Sequence, residues 1–441
     1  MARNKAKCGG RNVAVIAQRS TKMTKQQKTA LVIGGGIVGL ACAHRLAREG
    51  FSVSVVDANS ASGSASWGNA GHLAVEQVEP LASVASFKKA LGMLWKGDSP
   101  VATPAGEMRV WLPFFVRMAR ASGRGRFLRG TAALTACMEQ ALPAWRRLVT
   151  DAGCPELLLE QGHYVVWESA RAAKDALASW RQANTGSATW REATAAELAQ
   201  LRALVTAHLH AAIRFEGSGQ VRDPGLLLDA VKASIGAAGG AFVQARATAL
   251  DCANTCASVT TDDGRSRTAD VVLIAAGVSS GRLLRQTGTF APIVAERGYH
   301  IQSARHAWPA DMPPIVFEDR SMVVTGFQST LRATGFVEFA RHERPATEAR
   351  WSKLERHIDD LGLPFGEPRS RWMGARPTLP DYLPAIGRSP VAENLFYAFG
   401  HQHLGLTMAA ITGELVADLV CGRETAIDLR PFDVARFSRR T

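Results

Sequence analysis

The feature that most constrains this chain is a glycine-rich turn between a predicted strand and a predicted helix. Residues 29–57 read TALVIGGGIVGLACAHRLAREGFSVSVVD, which predicts a buried strand, a turn, a helix with apolar spacing and a second strand. The turn is GGGIVG at 34–39, and an acidic residue, Asp57, follows Gly36 by 21 positions. This arrangement is typical of a βαβ unit that binds a dinucleotide, whereas the alternative is a glycine-rich turn in an unrelated sheet.

Each part of the unit has a mechanical reason. Gly34 permits the tight turn, Gly36 lets the main chain approach a pyrophosphate, and Gly39 lets the helix pack close to the strand. The phosphates then lie at the positive end of the helix. Asp57 can accept hydrogen bonds from both hydroxyls of an adenosine ribose, and it would repel a 2′-phosphate. The cofactor contacts predicted from this unit are Gly34, Gly36, Ile37, Val38, Gly39 and Asp57.

Charge and cysteine content exclude several other classes. The 441 residues carry a formal net charge of +13, but residues 1–28 hold eight Lys or Arg and no acid, which leaves +5 for the rest. We therefore expect no nucleic-acid partner. The seven cysteines are odd in number and include no CxxC pair. This excludes a disulfide framework or a cysteine-ligated cluster and favours a reducing compartment.

Two segments bear on localisation. Residues 1–28 lack the apolar stretch of about 7 to 15 residues found in a secretory signal, and we expect them to be disordered. No run reaches the roughly 18 apolar residues of a membrane span. Residues 107–121, EMRVWLPFFVRMARA, predict either a helix on an anionic membrane surface or, since Pro113 interrupts the pattern, a helix half buried in its own domain. We expect a cytoplasmic protein, with or without peripheral contact to the inner face of the membrane.

The pattern along the chain predicts two interleaved domains. After the βαβ unit the regularity is lost, until Asp223-Pro224 opens a helix and a buried strand at 270–276 ends in Gly277. Gly277 either contacts the cofactor or merely ends that strand. The predicted division is a leader at 1–28, a nucleotide-binding domain at 29–88, 219–292 and 371–441, and a second domain at 89–218 and 293–370.

Two segments near the C-terminus carry further chemistry. Residues 371–387 read RWMGARPTLPDYLPAIG, and residues 394–420 predict a strand, a turn GHQHLG at 400–405 and a helix rich in small residues. The N-terminus of that helix would direct backbone N–H groups into a site. Such groups stabilise negative charge, and a reduced flavin carries negative charge on the N1–C2=O edge of its ring.

With these segments, the chain resembles the FAD-dependent D-amino-acid oxidase superfamily, and more narrowly its bacterial D-amino-acid dehydrogenases and cis-4-hydroxy-D-proline dehydrogenases. The matching segments are GGGIVG at 34–39, GNAGHL at 68–73, VRDPGLLLDAV at 221–231, VVLIAAG at 271–277, ERGYHIQ at 296–302, GARPTLPDYLPAIG at 374–387 and FGHQHLGLT at 399–407. The resemblance implies an α/β fold, with a Rossmann-like FAD-binding domain and an interleaved α+β substrate-binding domain. It also implies bound FAD, contacted beyond the first turn by Asn69, Ala70, Gly71, His72, Gly277, Gly400, Gly405, Leu406 and Thr407.

Arg376 is the predicted substrate-binding residue, because it occupies the arginine of the family's G-x-R-P segment. The resemblance implies that it grips the substrate carboxylate, and a planar guanidinium can pair both carboxylate oxygens. The alternative is a structural arginine tied to a carbonyl or to Asp381. The candidate catalytic residues are Arg376, His401, His403, Tyr299 and His300. Of the last two, one must point away, because side chains alternate along a strand.

The resemblance implies dehydrogenation of a D-amino acid or a D-hydroxyproline-like imino acid, with a hydride passing from Cα to flavin N5. The electrons would pass to a quinone or a protein acceptor. Two alternatives stay open: a glycine or sarcosine type oxidase that uses O2, and a flavin-binding subunit of a larger electron-transfer complex. The sequence leaves open the amino acid, its stereoisomer, the oligomeric state and whether the flavin is covalently held.

We expect no metal site from the spacing of potential ligands. His401 and His403 are the nearest to a metal-ligand pair, and no accompanying ligand is visible on the same element.

Overall fold

The computed structural model describes residues 27–58, 63–83, 99–252 and 256–438. Its strands are β1 (Thr29–Ile33), β2 (Ser52–Asp57), β3 (His72–Leu73), β4 (Val101–Ala102), β5 (Leu158–Leu159), β6 (His163–Trp167), β7 (Thr189–Glu192), β8 (Ala211–Glu216), β9 (Gly219–Val221), β10 (Ala241–Gln244), β11 (Ala247–Asp251), β12 (Ser258–Thr261), β13 (Ser266–Thr268), β14 (Val271–Ile274), β15 (Val294–Ser303), β16 (Ile315–Phe317), β17 (Met322–Gly326), β18 (Leu331–Phe339), β19 (Ser370–Thr378), β20 (Ala385–Arg388) and β21 (Leu395–Phe399). Its α-helices are α1 (Ile37–Arg48), α2 (Met108–Ala121), α3 (Arg124–Asp151), α4 (Ala170–Trp180), α5 (Ala195–Ala203), α6 (Pro224–Ala237), α7 (Ser280–Arg285), α8 (Glu348–Asp360) and α9 (Gly405–Cys421). The predicted leader lies outside the described residues except for positions 27 and 28.

A six-stranded sheet runs in the order β10-β2-β1-β14-β21-β20, parallel except for the edge strand β20. Both faces of this sheet are covered, which explains why its central strands are nearly continuous runs of Val, Leu and Ile. One face packs against α1, α6 and α9, and the other against α7 and the three-stranded sheet β11-β12-β13. The carboxyl ends of the parallel strands therefore meet at one edge, where such sheets bind ligands.

A second, largely antiparallel sheet runs in the order β19-β15-β18-β17-β16-β6-β8-β7, with β4 paired to β18. The helices α5 and α8 cover one of its faces. The short sheet β3-β9-β5 lies where the chain passes between the two large sheets. This arrangement confirms the predicted fold class, an α/β nucleotide-binding unit with an interleaved α+β unit.

The strand pairing differs from the predicted division at residue 371. Strand β19 pairs with β15 along its whole length, so Ser370–Thr378 belongs to the larger sheet. The chain returns to the six-stranded sheet only at Ala385. Pro377 does not stop the strand, because β19 lies at the edge of its sheet, where a missing backbone N–H is tolerated.

Helix α2 is half buried in its own domain, which was one of the two predicted alternatives. Phe114 and Met118 are buried against Phe339 and Tyr382, so the helix packs on its own domain. Its other side nevertheless exposes Met108, Leu112 and Val116 at spacings of four residues, each 45% exposed or more. Pro113 lies at an exposed position within this helix, and the helix continues through it.

Helix α9 is also apolar, and it lies in the core of the fold. Together with the turn before it, residues 402–421 are long and apolar enough to cross a membrane, but 67% of the most apolar stretch is buried within the fold. The helix packs against α1 and α3 in the main core. Trp145 of α3 donates from Nε1 to the carbonyls of Leu406 and Thr407, at 3.1 Å each. We therefore assign α9 as a core helix.

Candidate active site

The first glycine turn has the geometry that a dinucleotide requires. Gly34 has φ of +118°, and a Cβ at this position would overlap the carbonyl oxygen of Ala275. Helix α1 begins without a side-chain cap at Gly36, and the Ile37 N–H donates to the Ser66 hydroxyl at 2.9 Å. The turn is thus fixed at the carboxyl end of β1, with an N-terminus suited to phosphate.

Asp57 ends β2 beside this turn. The Gly35 N–H donates to its Oδ2, which holds the carboxylate at the position where the sequence predicts the adenosine ribose. Gly277 follows β14 at the same edge of the sheet and has φ of +55°. The structure therefore brings together the predicted contacts from three separate segments.

The segment predicted to pass the flavin is held by long-range hydrogen bonds. Gly71 has φ of +76°, and a Cβ there would lie 2.5 Å from the Phe327 ring. The Thr325 hydroxyl donates to the carbonyl of Ala70 at 2.8 Å. The Ala74 N–H donates to the hydroxyl of Thr407 in α9 at 3.0 Å. These bonds tie residues 70–74 to both the large sheet and the C-terminal helix.

Arg332 is a residue of this site that the sequence interpretation missed. Its guanidinium is buried and donates to the carbonyls of Trp67 and Asn69, at 2.9 and 2.6 Å. Desolvation lowers the pKa of Arg332 to about 10. A signal was present: Arg332 is the only basic residue within the mostly buried strand β18.

The C-terminal turn directs its two histidines differently. His401 is buried, and its Nε2 lies 3.0 Å from the Thr412 hydroxyl within α9. Nε2 of His403 lies 2.6 Å from Oε1 of Gln77. Desolvation lowers the pKa of His401 to about 3 and that of His403 to about 4, in the second case with help from the positive charge of Arg376. His403 therefore interacts electrostatically with Arg376, whereas His401 contacts Thr412 of α9.

Arg376 lies on β19 directly opposite Glu296 on β15, and its Nη1 is 3.5 Å from Glu296 Oε1. This long contact positions the guanidinium without forming a bidentate pair. A Cβ at Gly298 would be 2.5 Å from Arg376 Nη2, so the guanidinium lies across this glycine. Asp381, the alternative partner considered from the sequence, pairs instead with Arg436 at 2.6 Å.

Tyr299 and His300 point to opposite faces of β15. Tyr299 is fully buried beneath α8, and its hydroxyl contacts Glu338 at 3.3 Å and accepts from the Thr347 N–H at 3.1 Å. The ring of His300 stacks on Trp372 with centroids 4.8 Å apart, and its Nδ1 is 3.2 Å from the Gly68 carbonyl. Desolvation lowers the pKa of His300 well below its usual value. His300 thus faces the flavin-passing segment, and Tyr299 does not.

The residues fit the cofactor that the sequence predicts. Nε2 of His300 and Oε1 of Gln402 are buried and have no hydrogen-bond partner within the part of the chain described. Helix α9 begins without a side-chain cap, so its N-terminal N–H groups are available to an anionic ring edge. The site therefore has buried polar atoms and helix N–H groups that are in need of partners.

Three features define an FAD-dependent oxidoreductase. They are a nucleotide site at the first glycine turn, a segment at 68–73 that is predicted to pass the flavin, and Arg376 over the adjoining sheet. Residues 29–419 match the family model DAO, described as FAD dependent oxidoreductase, and the chain belongs to this family. It is an FAD-dependent enzyme that oxidises amino-acid CH–NH2 donors.

Individual relatives agree with this assignment. A D-amino-acid oxidase of Bradyrhizobium diazoefficiens is 33% identical over 415 residues, which covers 92% of this chain and 98% of the relative. The fold is similar to that of glycine oxidase from Geobacillus kaustophilus, with a TM-score of 0.68, 21% identity and coverage of 93% and 98%. It is also similar to L-proline dehydrogenase from P. horikoshii, with a TM-score of 0.70, 16% identity and coverage of 94% and 98%.

Proposed function

We propose that this enzyme dehydrogenates a D-amino acid or a D-hydroxyproline-like imino acid. The observation that carries the proposal is Arg376, whose guanidinium lies over Gly298 without a bidentate acidic partner. Such a group binds a substrate carboxylate through two parallel hydrogen bonds and so fixes the orientation of Cα. The substrate class also draws support from the printed name of the Bradyrhizobium relative.

The surrounding side chains would orient the substrate and exclude water. Bound FAD supplies the hydride acceptor. Arg376 holds the carboxylate, while the depressed pKa of His403 keeps its imidazole neutral beside that guanidinium. The packed rings of Trp67, His300 and Trp372 form an aromatic wall near Gly68. No side chain needs to remove the Cα proton as a base, because the neutral amine assists departure of the hydride.

We further propose that the electrons pass to a quinone or a protein acceptor, with peripheral contact to a membrane surface. Support comes from α2, whose exposed Met108, Leu112 and Val116 lie among Arg109, Arg117 and Arg120. An apolar stripe flanked by arginines suits an anionic lipid surface. The competing function is an oxidase that uses O2, which the name of the Bradyrhizobium relative favours.

The main test is anaerobic mixing of the purified holoenzyme with D- and L-amino acids, glycine, sarcosine and the hydroxyproline epimers. Flavin absorbance should bleach with D-amino or D-imino acids. Bleaching only by glycine, sarcosine or L-substrates would overturn the substrate class. Reduced enzyme exposed to air should reoxidise slowly, and faster with a soluble quinone. Stoichiometric hydrogen peroxide formed at the turnover rate would instead establish the oxidase.

The membrane contact is tested by flotation with vesicles that contain anionic phospholipid. The wild-type protein should float, and the double variant Leu112→Ser/Val116→Ser should not. Leu226→Ser is the control, since Leu226 is 43% exposed on α6, outside the stripe on α2. Equal flotation of all three proteins would argue against α2 as the contact.

A further inference from the structure

Three potential metal ligands converge at the junction of the two large sheets. His72 lies on β3, Glu76 follows in the next turn, and His163 begins β6. One ligand atom from each of these residues lies within 4.8 Å of the other two. The spacing along the sequence did not predict this cluster, because 87 residues separate Glu76 from His163.

The cluster is enclosed and has polar atoms without partners. The side chains of His72 and Glu76 are 12% and 5% exposed, and the whole residue His163 is 3% exposed. Nδ1 of His72 and Oε2 of Glu76 are buried with no hydrogen-bond partner within the described part of the chain. Burying such atoms unpaired is unfavourable, which argues that the cluster has a ligand.

Two neighbours complete the surroundings of a metal site. Nδ1 of His163 lies 2.9 Å from the Ser218 hydroxyl, which leaves Nε2 of this ring for a ligand. Such a hydrogen bond commonly orients a ligating imidazole. Gln220 on β9 is the antiparallel partner of His72, so both side chains lie on one face of the small sheet. Oε1 of Gln220 is also buried and lacks a partner in the described residues.

We propose that His72, Glu76 and His163 bind one divalent transition-metal ion of the zinc type, with Gln220 Oε1 as the fourth ligand. Two imidazoles and one carboxylate are an established donor set for zinc. The ion compensates the buried carboxylate, whose one ion-pair contact among the described residues is with His72.

The location suggests what the ion does. His72 directly follows Gly71 in the flavin-passing segment, whereas His163 belongs to the nine-stranded sheet. A metal bound by both would clip that segment to the sheet. It would therefore fix the backbone beside the flavin and stabilise the folded protein by an amount that grows with the logarithm of its affinity.

The test uses the tag-free holoenzyme, stripped with a chelator, reloaded with Zn²⁺ or Co²⁺ and freed of excess metal. Elemental analysis should give one ion per chain, and Co²⁺ should produce visible d–d bands. His163→Phe keeps the stacking with Phe215, whose ring lies 4.5 Å away. Glu76→Gln keeps the shape of the side chain. Each should weaken binding at least ~100-fold, and Ser218→Ala about 10- to 100-fold.

The double variant His208→Phe/His210→Phe is the matched control. These exposed histidines have ring centroids 6.5 Å apart and are the obvious adventitious site. Loss of the bound ion in this variant, with retention in His163→Phe, would overturn the proposal. So would failure of the wild-type protein to retain metal. Flavin absorbance monitors folding separately.

If the ligand variants fail to fold, X-ray absorption spectroscopy of the zinc-loaded wild-type protein tests which atoms bind the ion. Two imidazoles and oxygen ligands at about 2.0–2.2 Å support the site. Sulfur ligation, or a shell of water alone, would overturn it.

Discussion

Arg376 and Glu296 face each other across adjacent strands, with 3.5 Å between Nη1 and Oε1. The carboxylate of Glu296 also accepts from the Thr378 hydroxyl at 3.0 Å. Burial of Tyr382, together with the negative charge of Glu296, raises the pKa of the Tyr382 hydroxyl well above the usual range. Glu296 is thus fixed by its own neighbours and orients Arg376 without occupying the whole guanidinium.

Replacing Arg376 with Ala should remove the carboxylate anchor. We expect kcat/KM to fall about 30- to 5000-fold, which corresponds to a loss of roughly 2–5 kcal/mol of transition-state stabilisation. This is the range found when one partner of a buried charge pair is truncated. The measurement is steady-state kinetics with a carboxylate substrate. Arg371→Ala is the control, because Arg371 lies on the same strand but pairs with Glu355 and Glu348. Equal losses in both variants would remove Arg376 from the site.

Gly298→Ala should displace the same guanidinium by steric contact. The added Cβ would lie 2.5 Å from Arg376 Nη2, and a misplacement of about 1 Å can cost up to ~100-fold in rate. We expect kcat/KM to fall while flavin content stays normal. Gly236→Ala, where a Cβ meets nothing within 4 Å, should keep full activity. Loss of FAD from Gly298→Ala would contradict a purely local effect.

The sequence predicts the elements of this protein better than their contacts. The βαβ unit and the C-terminal turn follow from glycine spacing and apolar runs, because local geometry requires those residues. Between residues 315 and 326 the chain forms two strands, β16 and β17, joined through Ser321 with φ of +49°. The polar run EDRS at 318–321 marks that turn, but it does not show how the two strands pair. Glu296, Arg332 and the partners of Glu76 are likewise set by strand register, which a single sequence does not display.

Gly34→Ala should abolish FAD binding. The position combines a φ of +118° with a Cβ that would overlap the Ala275 carbonyl, so β1 and β14 would have to separate. The flavin-to-protein ratio after purification measures the effect. Gly50→Ala separates the two causes, because Gly50 also has a positive φ of +87° but open space around it. That variant should lose only about 1–2 kcal/mol of stability and keep its flavin.

Glu338→Gln should destabilise the larger sheet. Glu338 and Arg297 form an ion pair at 3.2 Å, with side chains 1% and 0% exposed. Removing one charge leaves the other buried and uncompensated, which typically costs about 3–5 kcal/mol. Urea unfolding at saturating FAD measures the loss. Asp175→Asn, in an exposed pair with Arg171 at 4.0 Å, should leave the midpoint unchanged. A small effect of Glu338→Gln would mean that water reaches Arg297.

His401 should make stability depend on pH. Its pKa is lowered by desolvation from 6.5 to about 3 in the folded protein, so between these values the unfolded chain binds one more proton. The free energy of unfolding must then decrease as pH falls below about 6.5, by at most ~1.4 kcal/mol per pH unit. His401→Gln can still contact Thr412 but cannot titrate. Urea unfolding at pH 7.5, 6.5 and 5.5 should show a shallower decrease in the variant, whereas parallel curves would mean that water reaches the imidazole of His401 in the folded state.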